Sequence, residues 1–415
     1  MWSVYLSPRV FPLLLLGFAS GLPLSLTGST LQAWLTTEAI DLKKIGLLTL
    51  VGSAYTLKFL WSPLIDRYAF PFLGRRRGWM FITQLALATT VAAMGFFDPH
   101  SQLTLIAVLA CVVAFLSATQ DIAFDAYSTD VLREPERAAG VGTRVLGYRI
   151  GMIASGGLAL IAVGDWGVSW RNIYLLMGLL MAGCALVTML APEPEKVVKA
   201  PVTLAEAVVA PLKEFFARPE AITVLLLIVL YKLGDAFAGA LSTSFLLGAG
   251  GYSPSQVGEA TKIYGMIATI VGAVLGGSFM MRWGLYRSLL WFGLLQAGSN
   301  FGYWLVAVSP VNDWLMFSVI AVENLCGGMG TSAFVALLMA LCSARFSAAQ
   351  FALLSALSAV GRTYLAGPIT PYIVEAVGWP QFFLITVLIA LPGLFLLWWR
   401  RQHILALQQP NTAST

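Results

Sequence analysis

Between Ser117 and Arg133 the sequence reads S-A-T-Q-D-I-A-F-D-A-Y-S-T-D-V-L-R. Gln120, Asp121 and Asp125 fall within an apolar run that starts near Leu103 and is long enough to cross a bilayer. A charge at that depth costs kilocalories unless it faces a polar cavity or a partner, which makes it a functional candidate. Partners follow a short turn, Glu134-Pro135-Glu136, in the form of Arg144 and Arg149. Facing positions in an antiparallel helix pair keep a nearly constant index sum. That sum is 270 for Asp121 with Arg149 and 269 for Asp125 with Arg144, so both pairs are expected in one register. The pair Asp125–Arg144, near the aqueous edge, serves equally as a simple helix lock; Asp121 and Gln120, deeper in, are read as functional.

Other apolar runs carry charges too. Lys58, Lys232, Lys262 and Arg362 join Arg144 and Arg149 as cations, against the anions Asp121, Asp125, Asp235 and Glu323. The surplus of two positive charges suits an anionic solute. Lys232 and Asp235 are three apart on one helix face and can pair with each other. Arg362 is within reach of Glu323, and Lys262 either snorkels or pairs with Glu259. Amide and aromatic groups supply the rest of a sugar-like or peptide-like site: Gln32, Trp34, Tyr55, Tyr148, Tyr231, Tyr264, Asn300, Tyr303 and Asn324. Of these, Gln32, Tyr55 and Asn300 lie well inside their runs, as Gln120 does, and are favoured; the remaining aromatics fit an interfacial belt equally well.

The elements that hold these residues are membrane helices. The chain of 415 residues is 58% hydrophobic and 11% charged, with mean hydropathy +0.81; soluble domains average about 25% charged residues. Twelve spans are expected, at 9–36, 44–66, 79–98, 103–129, 138–163, 169–191, 220–247, 256–281, 287–308, 314–342, 348–375 and 379–399. Placing both termini in the cytoplasm assigns sixteen Lys/Arg to inner loops and ends against three outside, the asymmetry of the positive-inside rule. The net charge of +5 therefore reports topology and not nucleic-acid binding. Four cysteines, all inside apolar runs and without metal-ligand spacing, are read as free thiols. No Walker loop, nucleophile–base set, metal cluster or cofactor fingerprint is present in the sequence, so neither an enzyme nor a cofactor is expected.

A polar connector, 192–219, holding an interfacial amphipathic stretch, separates a first bundle (1–191) from a second (220–400), followed by a tail (401–415). The halves resemble each other. Asp41-Leu42-Lys43-Lys44-Ile45-Gly46 matches Ser253-Pro254-Ser255-Gln256-Val257-Gly258 at an offset of 212, and Arg149 matches Arg362 at 213. Two pseudo-symmetric six-helix bundles in an all-α membrane protein are the layout of major-facilitator transporters. The loop Ser62-Pro63-Leu64-Ile65-Asp66-Arg67-Tyr68, followed by Gly74-Arg75-Arg76-Arg77-Gly78, resembles that superfamily's G-x-x-x-D-R-x-G-R-R loop, with Ser62 in place of glycine and a longer gap. The resemblance implies gating roles for Asp66 and Arg67; Arg144 is expected at the gate as well, as the partner that a protonated Asp125 would release, and for Arg75 to Arg77 a topological anchor is equally in view. Glycine clusters, Gly17, Gly21 and Gly28 with Pro23, and Gly327-Gly328-Met329-Gly330, fit either close helix packing or hinges.

The runs L-L-L-L-G-F-A-S-G-L-P-L-S-L-T (13–27), K-F-L-W-S-P-L-I-D-R-Y (58–68), S-A-T-Q-D-I-A-F-D-A (117–126), L-Y-K-L-G-D-A-F-A (230–238) and E-N-L-C-G-G-M-G-T-S-A-F-V-A-L-L-M-A-L-C (323–342) closely resemble the AmpG family of muropeptide permeases, over nearly the whole chain. The resemblance implies a bacterial inner-membrane importer of anhydro-muropeptides, driven by protons, serving peptidoglycan recycling and, where the regulators exist, β-lactamase induction. Some family members carry two further hydrophobic segments after span twelve, where this chain has a short polar tail. On that reading Asp121 or Asp125 takes the proton, and Gln32, Tyr55, Lys58, Gln120, Arg149, Lys232, Asp235, Asn300, Glu323, Asn324 and Arg362 contact the cargo. The expected partners are the cargo, protons and lipid, with a monomer as the working unit. Two alternatives stay open: an acyl-CoA or nucleotide-sugar carrier, and a non-transporting sensor of the same fold.

Overall fold

The computed structural model describes residues 2–68, 70–133, 136–194, 210–218, 220–342 and 347–406. Eight stretches of these residues are long and apolar enough to cross a membrane. Two of the eight are far longer than one crossing requires. Pro254–Val308, 55 residues, breaks at Gly284 (φ +76°), and Gln350–Trp399, 50 residues, breaks at Gly378 (φ +79°). Both glycines occupy the left-handed region that other residues avoid. Gly74–Met94, whose basic start lowers its apolarity, and the segmented stretch Leu42–Arg67 complete the twelve spans expected.

Span two departs most from a regular helix. It is wound as Leu42–Leu48, Thr49–Gly52, Ser53–Leu57, Lys58–Leu60 and Ser62–Arg67, the second and fourth pieces being tighter 3-10 turns of four and three residues. Its hydroxyls take carbonyls three residues back, Thr49 Oγ1 to Gly46 O at 2.6 Å and Ser62 Oγ to Phe59 O at 3.2 Å, which favours the tighter winding. Spans five, eight and eleven each contain one wide turn, at Ile153–Leu158, Glu259–Tyr264 and Gly361–Ala366. Such turns displace the side chains that follow them and often mark functional positions.

Two compact units form, each of which includes a short piece from the other half of the sequence. One is Met1–Asp41, Val51–Leu204 and Ser253–Gly258; the other is Leu42–Leu50, Ala205–Tyr252 and Glu259–Thr415. The exchanged pieces are the two stretches that match at the 212-residue offset. In the first unit Ser255 Oγ donates to Asp165 Oδ2 at 2.6 Å. In the second, Lys43 Nζ lies 2.6 Å from Glu375 Oε2.

Within the first unit, spans one and five are held together by glycine. A Cβ at Gly17 or Gly21 would strike the carbonyl oxygen of Arg144 or Tyr148, and one at Gly147 or Gly151 that of Leu14 or Phe18. With no hydrophobic drive between helices in lipid, this close backbone approach supplies the packing attraction. Span one also stops and restarts at Gly28, which leaves the last carbonyls of its first part without helix partners. Tyr174 on span six, fully buried, donates to one of them, Leu26 O, at 3.0 Å. Tyr174→Phe strands that carbonyl and is expected to cost about 1–3 kcal/mol, read as a lower melting temperature in detergent with no loss of helix content.

In the second unit, Gly272 and Gly328 bring spans eight and ten together in the same way, against Leu325 O and Thr269 O. The Gly327-to-Gly330 cluster is thus a packing surface, and Gln296 fills the space beside Gly327 and Gly330. At the end of the connector, helix Ala210–Phe216 is clamped by Arg218, which donates to Glu214 at 3.0 Å and to Leu341 O at 2.6 Å. Arg218 and Gln350 hold the Glu214 carboxyl below its ordinary range. All four cysteines are free.

Candidate functional site

In the first unit the charges meet on spans one, two, four and five. Asp121 accepts a 2.5 Å hydrogen bond from Ser20 Oγ and has Lys58 Nζ 4.0 Å from its other oxygen. Its side chain is 14% exposed and that of Lys58 36%, so one end of the pair reaches open space. One turn further along, Asp125 is ion-paired with Arg144, whose other nitrogen donates to Ser128 Oγ at 2.8 Å. The guanidinium also lies 5.3 Å from the Phe124 ring centre. Ser128, Thr129, Leu132, Gly140, Val141 and Arg144 surround a cavity of about 150 Å³ beside this pair.

The second pair read from the sequence, Asp121 with Arg149, does not form; Lys58 takes its place. Height along the helices agreed for both pairs, but face did not. Asp121 and Asp125 are four residues apart and share a face, whereas Arg144 and Arg149 are five apart, which turns them roughly 140° from one another at 3.6 residues per turn. Arg149 forms no ion pair among the described residues. Ser20, which sequence reasoning missed, is the residue that fixes Asp121. Its signal was a hydroxyl on the same glycine-lined stretch of span one as Gly17 and Gly21.

Gln120 and Tyr55 are placed beside Asp121, yet their polar atoms find no protein partner. Both amide atoms of Gln120 and the Tyr55 hydroxyl are buried and unbonded, as is Ser117 Oγ one turn away. Gln120 is 1% exposed, so a bulky solute does not reach it in this arrangement. Gln32 is half-buried on the continuation of span one. Trp34 is withdrawn from any site, packed against Trp170 and Tyr174 in the core.

In the second unit Lys232 Nζ sits 3.9 Å from Asp235 Oδ2, 3.3 Å from Thr331 Oγ1 and 5.7 Å from the Phe334 ring centre. This is the expected pairing along one helix face. Glu323 accepts from Asn324 Nδ2 at 2.8 Å, while Asn324 is itself tied to Ile320 O at 2.9 Å and to Thr269 Oγ1 at 3.1 Å. The charges that act on Glu323 are those of Asp235, Arg362 and Lys232. The contact between Glu323 and Arg362 is not made as an ion pair: Arg362 is exposed within the wide turn of span eleven and has no carboxylate within pairing distance among the described residues. Lys262 forms no ion pair with Glu259 among the described residues, and the charge that acts on it is the like charge of Arg362. Asn300 is 1% exposed with both amide atoms unbonded, and Tyr231, whose hydroxyl donates to Leu289 O at 2.8 Å, belongs to the core.

Of the residues expected at a gate, Arg67 is exposed against the ring of Tyr68, and the side chain of Asp66 lies outside the described residues. The basic cluster after it is bonded across the unit. Arg76 pairs with Asp130 at 3.2 Å, and Arg77 donates to Thr188 O, to Met189 O and to Glu193.

Buried acids and bases, several with one free side, spread over helices that each unit locks by glycine, are parts for moving a charged solute through a bilayer. The sequence profile of the Major Facilitator Superfamily matches residues 13–309. The chain is 56% identical over 401 residues to the anhydromuropeptide permease of Escherichia coli K12, covering 97% of this chain and 81% of that protein. It is 33% identical to the putative transporter AmpG 4 of Rickettsia felis, over 97% and 99% of the two chains. Among solved structures, a bacterial homologue of the human lysosomal transporter Spinster superposes with a TM-score of 0.73 at 15% identity, over 97% of this chain and 98% of that one. The nucleoside transporter NupG gives 0.70 at 14%, over 96% and 99%. These two likenesses speak for the fold, and the two sequence matches for the lineage: the chain belongs to the Major Facilitator Superfamily and, within it, to the family of the anhydromuropeptide permease AmpG.

Proposed function

We propose that this protein is a proton-driven symporter of the bacterial inner membrane that carries anhydro-muropeptides from periplasm to cytoplasm, unaltered, for peptidoglycan recycling. The observation that carries the reading is the 56% identity to a permease of that name along nearly the whole chain. The chemistry of the spans is in keeping with it. A cargo that joins a disaccharide to a peptide with several carboxylates calls for cations that are not already paired. Arg149 and Arg362, related by the internal repeat and both without an ion-pair partner among the described residues, are suited to that task. Lys58 and Lys232, held only at 4.0 and 3.9 Å by their acids, can exchange those acids for a cargo carboxylate. Asp121 is assigned the proton. It is less exposed than Asp125, and its weak contact with Lys58 leaves it freer to change charge than Asp125, which is ion-paired with an Arg144 that Ser128 holds in place.

In this cycle the Asp121 carboxylate takes a proton from the periplasmic side, Lys58 is released to the cargo, and the proton leaves to the cytoplasm with it. The 1–191 and 220–400 bundles act as the two moving bodies, with Asp66, Arg67 and Arg144 at the inner gate. Where a regulatory system senses the cargo, import also feeds β-lactamase induction. The test is uptake of labelled anhydro-muropeptide by proteoliposomes holding the purified protein. Uptake is expected to rise with an inward proton gradient and to be competed by unlabelled muropeptide but not by acyl-CoA; saturable binding without uptake would leave a sensor.

A further inference from the structure

The second unit holds a carboxylate that the cycle above does not use for protons. Glu323 lies in the middle of span ten, half-buried, and forms no ion pair among the described residues. Its described hydrogen bond comes from Asn324, and Asn324 is fixed in place by Ile320 O and Thr269 Oγ1. The Glu323 carboxylate is therefore held by a neutral amide and not by a cation. Asp235, the nearest acid acting on it, is in a different position, because Lys232 lies 3.9 Å from Asp235.

Three other spans bring polar groups to act on or be acted on by Glu323. Span seven presents Lys232 and Asp235, span eleven Arg362, and span nine Tyr303, on which the Glu323 charge also acts. One turn before Tyr303, on the same face of span nine, Asn300 buries an amide with neither atom bonded to protein. On span eight, Lys262 feels the charge of Arg362. An acid within a membrane span that lacks a cation partner is tolerated when it can discharge by taking up a proton.

We propose that Glu323 carries a second proton with each cargo, in addition to the one assigned to Asp121, so that two protons enter per muropeptide. This rests on the proton-driven reading above. The carboxylate takes its proton from periplasmic water and yields it to cytoplasmic water; no other bond changes. Asn324 acts as a positioning residue, presenting its amide to the same oxygen in both charge states of the cycle. The arrangement answers a physical demand. An anionic cargo entering a cell with a negative interior is opposed in proportion to its charge, and each accompanying proton cancels one unit of it. One proton leaves a dianionic cargo still opposed, whereas two remove the opposition.

The experiment is a null-point measurement. Proteoliposomes with the membrane potential clamped at zero are given an inward proton gradient and an outward gradient of labelled anhydro-muropeptide, and the cargo ratio at which net flux vanishes is found. The wild-type null ratio is expected to shift about a hundredfold per pH unit, and that of Glu323→Gln about tenfold. Glu323→Asp, which keeps the carboxylate, is expected to retain the hundredfold slope. A tenfold slope in the wild type overturns the second proton and leaves the first in place, while no slope at all removes proton coupling altogether. A hundredfold slope in Glu323→Gln also overturns the assignment, whether or not its apparent KM rises. Because the wild-type slope alone separates one proton from two, a Glu323→Gln protein that fails to fold does not rescue the idea.

Discussion

Asp121→Asn is expected to cut accumulation of cargo against its gradient while sparing exchange of cargo for cargo. Asparagine keeps the shape of the side chain and can still accept from Ser20 Oγ, which sits 2.5 Å from Asp121 Oδ1. It cannot load or release a proton. A symporter deprived of that step should still equilibrate muropeptide between two sides already loaded with it, because neither leg of exchange needs the carrier to return empty. Each proton moved is worth about tenfold in cargo ratio per pH unit, so gradient-driven accumulation should fall at least about tenfold under a one-unit gradient. Asp125→Asn is the contrast. It breaks the ion pair with Arg144, and it should slow uptake while leaving its dependence on the gradient intact. Full accumulation by Asp121→Asn would remove this carboxylate from the coupling step.

Gly147→Ala should leave little folded protein, and Gly142→Ala should leave it untouched. The two glycines stand five residues apart on span five. A methyl group at Gly147 would meet the Leu14 carbonyl oxygen and the backbone carbon behind it, whereas nothing lies within 4 Å of the same methyl at Gly142. Backbone on both sides of the contact cannot rotate away as a side chain could, so the cost belongs at the upper end of overpacking, about 3 kcal/mol or more. Fluorescence-detected size exclusion and the detergent melting temperature read the difference. Equal behaviour of the two variants would mean that spans one and five are not held as closely as described.

The broad class and the span count were legible because they follow from composition and length alone. The breaks at Gly284 and Gly378 fall between the ninth and eighth, and the twelfth and eleventh, expected spans, where a short turn needed a residue free of Cβ strain. Asp125 with Arg144 and Lys232 with Asp235 were legible because index arithmetic and helical spacing define them. The partner of Asp121 was not. Index sums report how deep two residues sit, not which way they face, and span two, which carries Lys58, does not keep the rotation of a regular helix. The glycine cluster of span ten had two readings in the sequence because spacing cannot reveal a neighbour. The backbone of Thr269 and the amide of Gln296 fill the space a hinge would have needed. Gln120 and Asn300 were legible as polar groups in apolar runs, but not as groups shut away from bulk solute.

Span two is assembled from five short pieces, in contrast to spans one and five, which are braced backbone to backbone. Hydrocarbon does not tolerate unpaired peptide groups, and where the winding tightens the backbone stays bonded three residues back instead of four, as Trp61 N does to Lys58 O. Span two is thus an irregularly wound part of the wall beside Lys58 and Asp121. A carrier built so must keep stray ions from trickling along that segment whenever no cargo is aboard, and Lys58, whose charge Asp121 offsets only loosely at 4.0 Å, disfavours small cations there.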